Sequence, residues 1–378
     1  MSWEYVTLDK LGTVARGKSK HRPRNDKILF GGKYPFIQTA DVKAAELYLT
    51  EYSETYSERG LEQSKLWPAG TLCITIAANI ADTAILGIDA CFPDSVMGYI
   101  PFEGVANVKF VKYAFDILQR DCQKISQGAA QDNLSWKKLS TINFPAPPIE
   151  IQDKIVSVLG TYDDLIENNQ KQIKLLEEAA QRLYKEWFVD LRFPGYETTP
   201  VVDGVPEGWK KVSLAEIAPI VTGKKDANFG TADGKYLFFT CAQEPIKAPS
   251  YSFDCDAVIL AGNGDFNVKL YRGQFEAYQR TYIFSPYDST MLYLLFYAVK
   301  ENMRQLFQGA SGSTIKFLTK GMLENIFVFV PDDKIIEMFN SCCEAYQKKM
   351  ETLKSQINAA QEARDRLLPK LMSGEIKV

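Results

Sequence analysis

Histidine is almost absent from this chain, and that absence narrows the chemistry the chain could perform. Its 378 residues include one histidine, His21, which lies among Arg and Lys residues with no carboxylate expected beside it. A Ser-His-Asp or Cys-His catalytic site would depend on that single residue. The phosphate-binding Gly-x-x-x-x-Gly-Lys-Ser/Thr motif is missing, and so are the Asn-Pro-Pro-Tyr and Asp-Pro-Pro-Tyr motifs of amino-methyltransferases. These absences argue against a self-contained nuclease or methyltransferase.

Long apolar runs, paired cysteines and a strong net charge are missing as well. The longest apolar runs, such as residues 291–299, fall far short of the roughly 20 residues of a membrane span. The N-terminus lacks the pattern of a signal peptide, so we expect a cytoplasmic protein without a membrane segment. The seven cysteines form no Cys-x-x-Cys pair, which predicts reduced, buried thiols and no metal site. With a net charge of -3, any nucleic-acid surface would have to be local.

What the sequence does contain is an internal repeat. A pattern that starts Trp-x-x-Val-Thr/Ser-Leu and ends in Gly-Lys begins at Trp3 and again at Trp209, at an offset of 206. Four apolar positions within 134–144 recur within 318–328, at an offset of 184. The two offsets differ by 22, so the middle of the second half is shorter. Similar borders around dissimilar middles predict one architecture used twice.

Each half has the pattern of a mixed α/β domain followed by a long helix. Short apolar or alternating runs at 71–77, 236–240 and 257–261 are typical of short strands, and the Gly-rich run 262–265 is typical of a hairpin turn. We predict an α+β fold in which two small mixed α/β domains form a tandem pseudo-repeat separated by two long helices. The predicted domains are 1–147 and 191–330, and the predicted helical regions are 148–190 and 331–378.

The two helical regions carry the clearest periodicity. Mostly apolar residues recur at alternating spacings of four and three, and the second seam is in register with the first at the offset of 184. A narrow heptad seam of about 33 residues, roughly 50 Å of helix, needs a partner helix. The predicted seam positions are Ile155, Leu159, Tyr162, Ile166, Asn169, Ile173, Leu176, Ala180, Leu183 and Trp187, then Phe339, Cys343, Tyr346, Met350, Leu353, Ile357, Ala360, Arg364, Leu367 and Leu371.

The seam alone leaves the partner open. The economical partner is the other helix of the same chain, and a homodimer through one or both helices is the alternative. Asn169 at a seam position favours one register at some cost in stability. If the pair is intramolecular and antiparallel, the two domains lie at opposite ends of a rod. Pro369 predicts that the second helix ends near Leu371.

Basic loops are the strongest candidates for a binding surface. Residues 16–27 hold six Lys or Arg against one acid, with Gly, Ser, Pro and Asn interleaved, which predicts a loop that reaches phosphates or base edges. The matching loop in the second half is thinner, and polar loops at 127–133 and 308–316 suit close approach to a phosphate backbone. Ordinary solvated loops are the alternative interpretation for each. The candidate DNA contacts from these loops and the Gly-rich turn are Arg16, Lys18, Lys20, Arg22, Arg24, Gln131, Asn133, Lys224, Lys225, Asn263, Ser313, Thr314 and Lys316.

Taken in order, these features resemble the specificity subunit of a type I restriction-modification system. Beside the half-repeat, the resemblance rests on four stretches: 35–42 (PFIQTADV), 147–152 (PPIEIQ), 309–314 (GASGST) and 367–376 (LLPKLMSGEI). It covers nearly the whole chain and adds Gln38 and Thr39 to the candidate DNA contacts. The second half has Pro-Asp-Asp-Lys-Ile from residue 331 in place of the Pro-Pro-x-x-x-Gln opening, which leaves the start of the second helix open.

The resemblance implies a division of labour among subunits. Each variable half is then a target recognition domain that reads one part of a bipartite, asymmetric target in double-stranded DNA. The two long helices pair as an antiparallel coiled coil that acts as a spacer and docks two copies of an adenine-methylating modification subunit. A restriction subunit completes the nuclease, although a methylation-only complex is a variant. The chain itself is then non-catalytic and binds no cofactor; S-adenosylmethionine, ATP and magnesium belong to the partners.

A coiled-coil adaptor whose two α/β domains bind proteins is the competing hypothesis. It shares the heptads and the repeat with the first interpretation. It does not predict the basic loop at 16–27, and it would show no salt-dependent DNA binding. Self-association of the isolated chain stays open under both.

Overall fold

The computed structural model describes residues 3–77, 80–126, 134, 136–310 and 316–378, with side chains left out at 120, 121 and 123–126. The chain divides into two compact units. The first comprises Met1–Asn169 with Ser355–Val378, and the second comprises Gln170–Lys354. Each unit therefore contains one mixed α/β region and one stretch of each long helix.

Short strands make up two sheets and a separate strand pair in the first unit. Strands β2, β10, β7, β8 and β4 form a five-stranded sheet in that order, β5, β3, β9 and β6 form a four-stranded sheet, and β1 pairs with β11. The bounds are β1 (Tyr5–Thr7), β2 (Gly12–Arg16), β3 (Phe30–Phe36), β4 (Tyr48–Leu49), β5 (Glu54–Tyr56), β6 (Leu66–Trp67), β7 (Leu72–Thr75), β8 (Thr83–Leu86), β9 (Ala90–Cys91), β10 (Val96–Pro101) and β11 (Asn143–Pro145).

Helices cover the five-stranded sheet of the first unit. On α4, Phe110 and Ala114 are one helical turn apart and are buried with Leu72, Ile74 and Ile85 of the sheet. The bounds are α1 (Leu8–Leu11), α2 (Thr39–Ala44), α3 (Glu58–Glu62), α4 (Val108–Ser126), α5 (Trp136–Leu139) and the long helix α6 (Ile149–Tyr184).

One six-stranded sheet dominates the second unit, in the order β15, β20, β18, β19, β16, β17, with β14–β21 and β12–β13 as separate pairs. The bounds are β12 (Val201–Val202), β13 (Val205–Pro206), β14 (Lys210–Ser213), β15 (Ile220–Thr222), β16 (Tyr236–Phe239), β17 (Ile246–Ala248), β18 (Phe253–Ala261), β19 (Val268–Ala277), β20 (Thr281–Phe284), β21 (Phe327–Val330), α7 (Leu214–Ile217), α8 (Leu292–Gly309), α9 (Lys320–Glu324) and the long helix α10 (Asp333–Met372). The predicted strands correspond to β7, β16 and β18, and the run 262–265 lies in the turn between the antiparallel strands β18 and β19.

The internal repeat is visible in the backbone. The order β1-α1-β2 in the first unit recurs as β14-α7-β15 in the second. Strand β1 pairs with β11 through Val6 and Phe144, and β14 pairs with β21 through Val212 and Val328. Val212 lies 206 residues after Val6, and Val328 lies 184 residues after Phe144. Each offset therefore relates one strand of the first pair to its counterpart in the second pair. The same framework is therefore built twice, with different sheets between its borders.

The glycine of each repeated Gly-Lys pair lies against a neighbouring backbone. The N–H of Gly17 donates to the Val96 carbonyl, and that of Gly223 donates to the Thr281 carbonyl, both at 2.9 Å. A Cβ atom at these glycines would lie 2.3 and 2.2 Å from a backbone carbonyl oxygen. Only glycine fits such an approach, which explains the same residue at the same place in both halves.

Helices α6 and α10 run antiparallel within each unit. In the first unit, Arg364 Nη1 donates to Asp163 Oδ1 at 2.8 Å, and Asn169 Nδ2 donates to Gln356 Oε1 at 3.1 Å. Residue numbers thus rise along one helix as they fall along the other. The two long helices of one chain are each other's partners, as the predicted antiparallel coiled coil requires.

All the predicted seam positions on both helices are buried or half-buried. In the second unit, however, Tyr184 at the end of α6 and Phe188 just after it are buried, whereas the predicted Leu183 and Trp187, each one position earlier, are only half-buried. A straight helix drifts by about 20° per heptad against a seven-residue repeat, and a π-helical turn at Lys185–Val189 follows directly. The seam is therefore displaced by one residue at this end.

The ends of α10 lie close to the positions that the sequence predicts. The helix starts at Asp333, where Asp332 Oδ1 accepts a hydrogen bond from the Ile335 N–H at 3.0 Å. It ends at Met372 and includes Pro369 in its last turns. The proline does not stop the helix before Leu371, which is buried as a seam residue.

Gln152 fixes the start of α6 to the first domain. It is the glutamine of the Pro-Pro-x-x-x-Gln opening, and its side chain is buried. Its Oε1 accepts the Asn107 N–H at 3.0 Å, and its Nε2 donates to the carbonyls of Val105 and Pro147 at 2.9 Å. A buried amide with its hydrogen bonds made holds one geometry.

The seven cysteines are free thiols, and burial raises the pKa of Cys91 to about 11. Among the described residues, no three His, Cys, Asp or Glu side chains are grouped to hold a metal ion. No described helix is both long and apolar enough to cross a membrane. The predicted burial of the thiols holds for four of the seven, since the partly exposed ones are Cys241, Cys255 and Cys342.

Replacing Gly17 or Gly223 with alanine should lower the melting temperature. The added Cβ would collide with a carbonyl oxygen at 2.3 or 2.2 Å, so the backbone must shift, at a cost of about 1–3 kcal/mol. Gly321→Ala is the control, because a Cβ there meets no atom within 4 Å and alanine favours the helix. Thermal unfolding measures the difference; equal melting temperatures for Gly17→Ala and Gly321→Ala would contradict this account.

Candidate nucleic-acid interface

The basic loop at 17–27 follows β2. It is held by Arg16, the last residue of β2, and by Arg24 in the second half of the loop. Arg16 Nε and Nη2 donate to the carbonyl oxygen of Asp94 at 3.0 and 2.7 Å, and Arg24 Nη2 contacts the Asp94 carboxylate at 2.9 Å. Asp94 lies just before β10, so the loop is tied to the edge of the sheet. Both arginines stay exposed and have N–H donors beyond these bonds.

Arg22 and His21 close the loop on itself. Arg22 Nη1 donates to the carbonyl oxygens of Ser19 and His21, both at 2.7 Å. His21 Nε2 lies 3.0 Å from Asp26 Oδ2. The expectation that no carboxylate lies beside the histidine is therefore wrong, because the loop folds back on itself. The Ile28 N–H and His21 hold the pKa of Asp26 below its usual value.

The lysines of the loop are left for other contacts. Gln63 Oε1 accepts the backbone N–H groups of Lys20 and His21 at 2.6 and 3.1 Å, which pins the loop to α3. The side chains of Lys18, Lys20 and Lys27 are exposed. None of these three ammonium groups forms an ion pair within the described part of the chain. An ordered loop with exposed ammonium groups suits phosphate contacts.

Beside this loop lies a groove of about 680 Å³. The structure brings together two of the predicted DNA contacts here, because Arg24 and Gln38 both line it, along with Lys27. Gln38 precedes α2 and donates from Nε2 to Glu54 Oε2 at 2.8 Å, and Thr39 opens that helix half-buried. Sequence reasoning missed Glu54, since one acid in a three-residue strand carries no pattern of its own.

The corresponding basic loop of the second unit follows β15. The backbone N–H groups of Lys224 and Lys225 both donate to the Ala277 carbonyl, at 3.1 and 3.3 Å. The Lys224 ammonium lies 5.5 Å from the ring centre of Phe253, and that of Lys225 lies 4.5 Å from the ring centre of Phe229. These cation–π contacts hold the two cations over apolar rings. This loop is equivalent to the one that begins at Gly17.

Asn263 and Lys316 come together elsewhere in the second unit. Asn263 forms an antiparallel bridge with Phe317, next to Lys316. Lys316 Nζ donates to the Phe307 carbonyl at 3.2 Å and lies 4.1 Å from the Phe307 ring centre. Its ammonium therefore makes contacts within the fold. The candidates that lie outside the described residues are Gln131, Asn133, Ser313 and Thr314.

Comparison with known proteins decides the family. Residues 1–178 and 206–360 match the profile of the family described as the type I restriction modification DNA specificity domain. The chain belongs to this family. Its two matches correspond to the two halves of the internal repeat, so DNA-target recognition is the function of these specificity domains.

Individual relatives agree with the family. The MjaIX specificity subunit of Methanocaldococcus jannaschii is 25% identical over 416 aligned residues, which cover 100% of this chain and 94% of that protein. The EcoDI specificity subunit of Escherichia coli is 36% identical over 168 residues, 44% of this chain and 36% of that protein. The crystal structure of the type I S subunit from M. genitalium aligns with a TM-score of 0.57 at 15% identity, over 98% of this chain and 96% of that one. This structural likeness establishes the fold alone.

Replacing Gln63 with alanine should loosen the basic loop without unfolding the domain. Two backbone N–H groups lose their acceptor, and each hydrogen bond contributes about 0.5–1.5 kcal/mol. We expect amide exchange at residues 18–24 to rise roughly tenfold, as measured by hydrogen–deuterium exchange with mass spectrometry. Gln274→Ala is the control, since within the described part of the chain the Gln274 side chain bonds to the exposed Asp254 alone, in the second unit. Unchanged exchange at 18–24 in Gln63→Ala would show that Gln63 does not pin the loop.

Proposed function

We propose that this chain is the non-catalytic specificity subunit of a type I restriction-modification system and reads a bipartite, asymmetric target in double-stranded DNA. Residues 1–147 and 191–330 are the two target recognition domains, each reading one half of the target. Residues 148–190 and 331–378 form the spacer between them. The observation that carries the proposal is the repeated framework, which has a basic loop after the same glycine in both halves.

The differing middles of the two halves support an asymmetric target. A five-stranded and a four-stranded sheet lie between the framework borders of the first unit, and a six-stranded sheet lies there in the second. Different sheets present different loops, and base readout depends on loop side chains. Two readers on one spacer favour half-sites about one DNA turn apart.

Partner subunits supply the chemistry in this proposal. Two copies of an adenine-methylating modification subunit dock on the helical spacer, and a restriction subunit joins them in the cytoplasm. S-adenosylmethionine, ATP and magnesium bind to those partners and not to this chain. The names of the relatives, which describe specificity subunits of type I restriction enzymes, support this arrangement.

Mapping DNA methylation tests the whole proposal. The chain is co-expressed with the modification subunit of its system, and adenine methylation of host DNA is mapped by long-read sequencing. One asymmetric bipartite motif, methylated only when this chain is present, is the expected result. A stable complex that methylates without a motif, or the lack of any complex, would contradict the proposal and favour the adaptor.

The lysines of the basic loop should contribute phosphate contacts. In Lys18→Ala/Lys20→Ala, the slope of log K against log salt should become shallower by about 1–2, because each phosphate contact accounts for about 0.9. The preferred sequence should not change. Lys348→Ala/Lys349→Ala removes the same charge from exposed positions on α10 and is the control. An unchanged salt slope in the loop variant would exclude the loop from the DNA interface.

A further inference from the structure

The groove beside the basic loop has an aromatic floor and polar walls. The rings of Phe36 and Tyr56 stack at 4.0 Å, and Phe30 packs against Tyr56 at 5.2 Å. Burial raises the pKa of the Tyr56 hydroxyl, so it stays neutral. Arg24 and Lys27 line the groove on the side of the basic loop. A groove with cationic edges attracts a polyanion, yet this one also contains a carboxylate.

That carboxylate is held in one position. Gln38 uses its amide at both ends: its side-chain oxygen accepts the Asp41 N–H in a capping box, and its Nε2 donates to Glu54 Oε2 at 2.8 Å. Glu54 is exposed, and its other oxygen has no partner among the described residues. The predicted DNA contact Gln38 is therefore committed to the fold, and Glu54 is the group that the groove presents.

An ionised carboxylate only accepts hydrogen bonds. In the major groove, the bases that donate are adenine through N6 and cytosine through N4, whereas guanine and thymine present acceptors at the equivalent places. A carboxylate therefore favours adenine or cytosine and repels the other two bases. Cations beside it offset its repulsion of the phosphates.

Resting on the proposed function, we propose that Glu54 reads one adenine or cytosine in the half-site of the first recognition domain. Gln38 is the positioning residue that orients the Glu54 carboxylate. Arg24 and Lys27 contact the phosphate backbone of the DNA on the same side of the groove. One base of the target is then selected by an acidic residue that lies outside the basic loop.

The test compares base preferences position by position. The full chain, in complex with its modification subunit, is incubated with a randomised double-stranded DNA library, and the bound fraction is sequenced. Glu54→Gln replaces the acceptor with an amide that both donates and accepts. We expect the preference for adenine or cytosine at one position of one half-site to fall from about tenfold to less than about twofold. Glu103→Gln, at an exposed residue outside the groove, is the control.

Several results separate the alternatives. Gln38→Ala removes the capping side chain of α2 and lowers the melting temperature, but it should weaken the preference at the same position only and leave the second half-site unchanged, which a general loss of stability would not produce. A Glu54→Gln target identical to the wild-type target would overturn the assignment, and so would an equal loss in both halves. A wild-type complex that selects no sequence would instead overturn the proposed function itself.

A second, independent feature lies in the helix pair of the first unit. The side chain of Asp163 is 5% exposed, and its Oδ1 accepts from Arg364 at 2.8 Å. Its other oxygen accepts a short hydrogen bond from the Tyr113 hydroxyl of α4. Removing one partner of a buried ion pair is costly, because it leaves an uncompensated charge in the interior.

The repeat has no such pair at the equivalent positions of the second unit. At the offset of 184, Ala180 corresponds to Arg364, Gln347 corresponds to Asp163, and Tyr297 corresponds to Tyr113. Ala180 is fully buried in a hydrophobic core that includes Tyr297. The tyrosine is thus common to both units, and the ion pair occurs in one.

We infer that the Asp163–Arg364 pair selects the helix of the same chain against that of a second copy. Two related antiparallel helices could also pair as α6 with α6 and α10 with α10 in a dimer. Asp163 would then face Ala180 of the other copy, and Arg364 would face Gln347, so each dimer would bury two carboxylates without a cation. Asn169 does not discriminate in this way, since Gln172 would face it in the dimer.

Moving the arginine tests this inference. In Ala180→Arg/Arg364→Ala, Asp163 has no cation within its own chain but meets the introduced guanidinium of the other copy in an α6–α6 dimer. Light scattering of the full chain at about 10–100 μM should show a dimer, whereas the wild type and Arg364→Ala alone should show none. A double variant as monomeric as Arg364→Ala would overturn the inference.

A milder variant covers the case in which a buried arginine at position 180 prevents folding. Asp163→Ala/Arg364→Ala removes both charges, so the swapped pairing loses its penalty and the dimer dissociation constant should tighten at least about tenfold. Asn169→Ala/Gln356→Ala is the matched control and should stay as monomeric as the wild type. Equal dissociation constants for the two double variants would contradict the selecting role of the ion pair.

Discussion

The antiparallel pairing of α6 with α10 is the interaction on which both units depend. In the first unit, Ile155 of α6 and Leu371 of α10 are buried in the same core as the sheet and α4. In the second unit, Phe188 and Phe339 are buried with the sheet and α8. Neither α/β region completes its hydrophobic core without both helices, because one sheet face has to be covered by another layer. The helices are therefore part of each domain and not a linker between finished domains.

This dependence explains which parts of the two halves are alike. The repeat preserves the strand pair around Val6 and Phe144, whose Phe144 is buried in one core with residues of both long helices, and its copy in the second unit. It also preserves the glycines at the start of the basic loops, which lie against neighbouring backbone. The sheets between these borders differ in strand number and strand order. Their outer loops are free to differ, which is what two different half-sites require of one framework.

The sequence predicts the features that recur at regular spacing. It does not predict the side-chain pairs whose members lie far apart in the chain. The repeat and the seam follow from spacing, and all the seam positions are buried or half-buried. The contacts that shape the groove and the helix pair are not periodic: Arg24 meets Asp94 at a separation of 70 residues, and Arg364 meets Asp163 at 201. Any of the 47 acids could have been the partner of either arginine. Such pairs follow from the topology of the chain, which no local pattern encodes.

Helix geometry accounts for the remaining difference between pattern and structure. A strict heptad assigns Leu183 and Trp187 to the seam, but the helix turns by about 3.6 residues and not 3.5. Over four heptads the difference brings Tyr184 and Phe188 to the buried side. The shift is small enough that the neighbours stay half-buried, so the sequence identifies the helix and its face more reliably than the individual contact.

A chain with a net charge of -3 can still present a basic surface, because the acids at the basic loop are paired while its lysines are exposed. Asp94 and Asp26 contact Arg24 and His21 and so fix the loop, while the neighbouring lysines remain exposed. Arginine suits the fixing role through its planar fork, and lysine suits phosphate contact as a mobile point charge. Charges farther than about 8 Å are screened at physiological salt. A phosphate therefore responds to the loop nearest to it and not to the charge of the whole chain, and a loop ordered before binding loses less entropy when it binds.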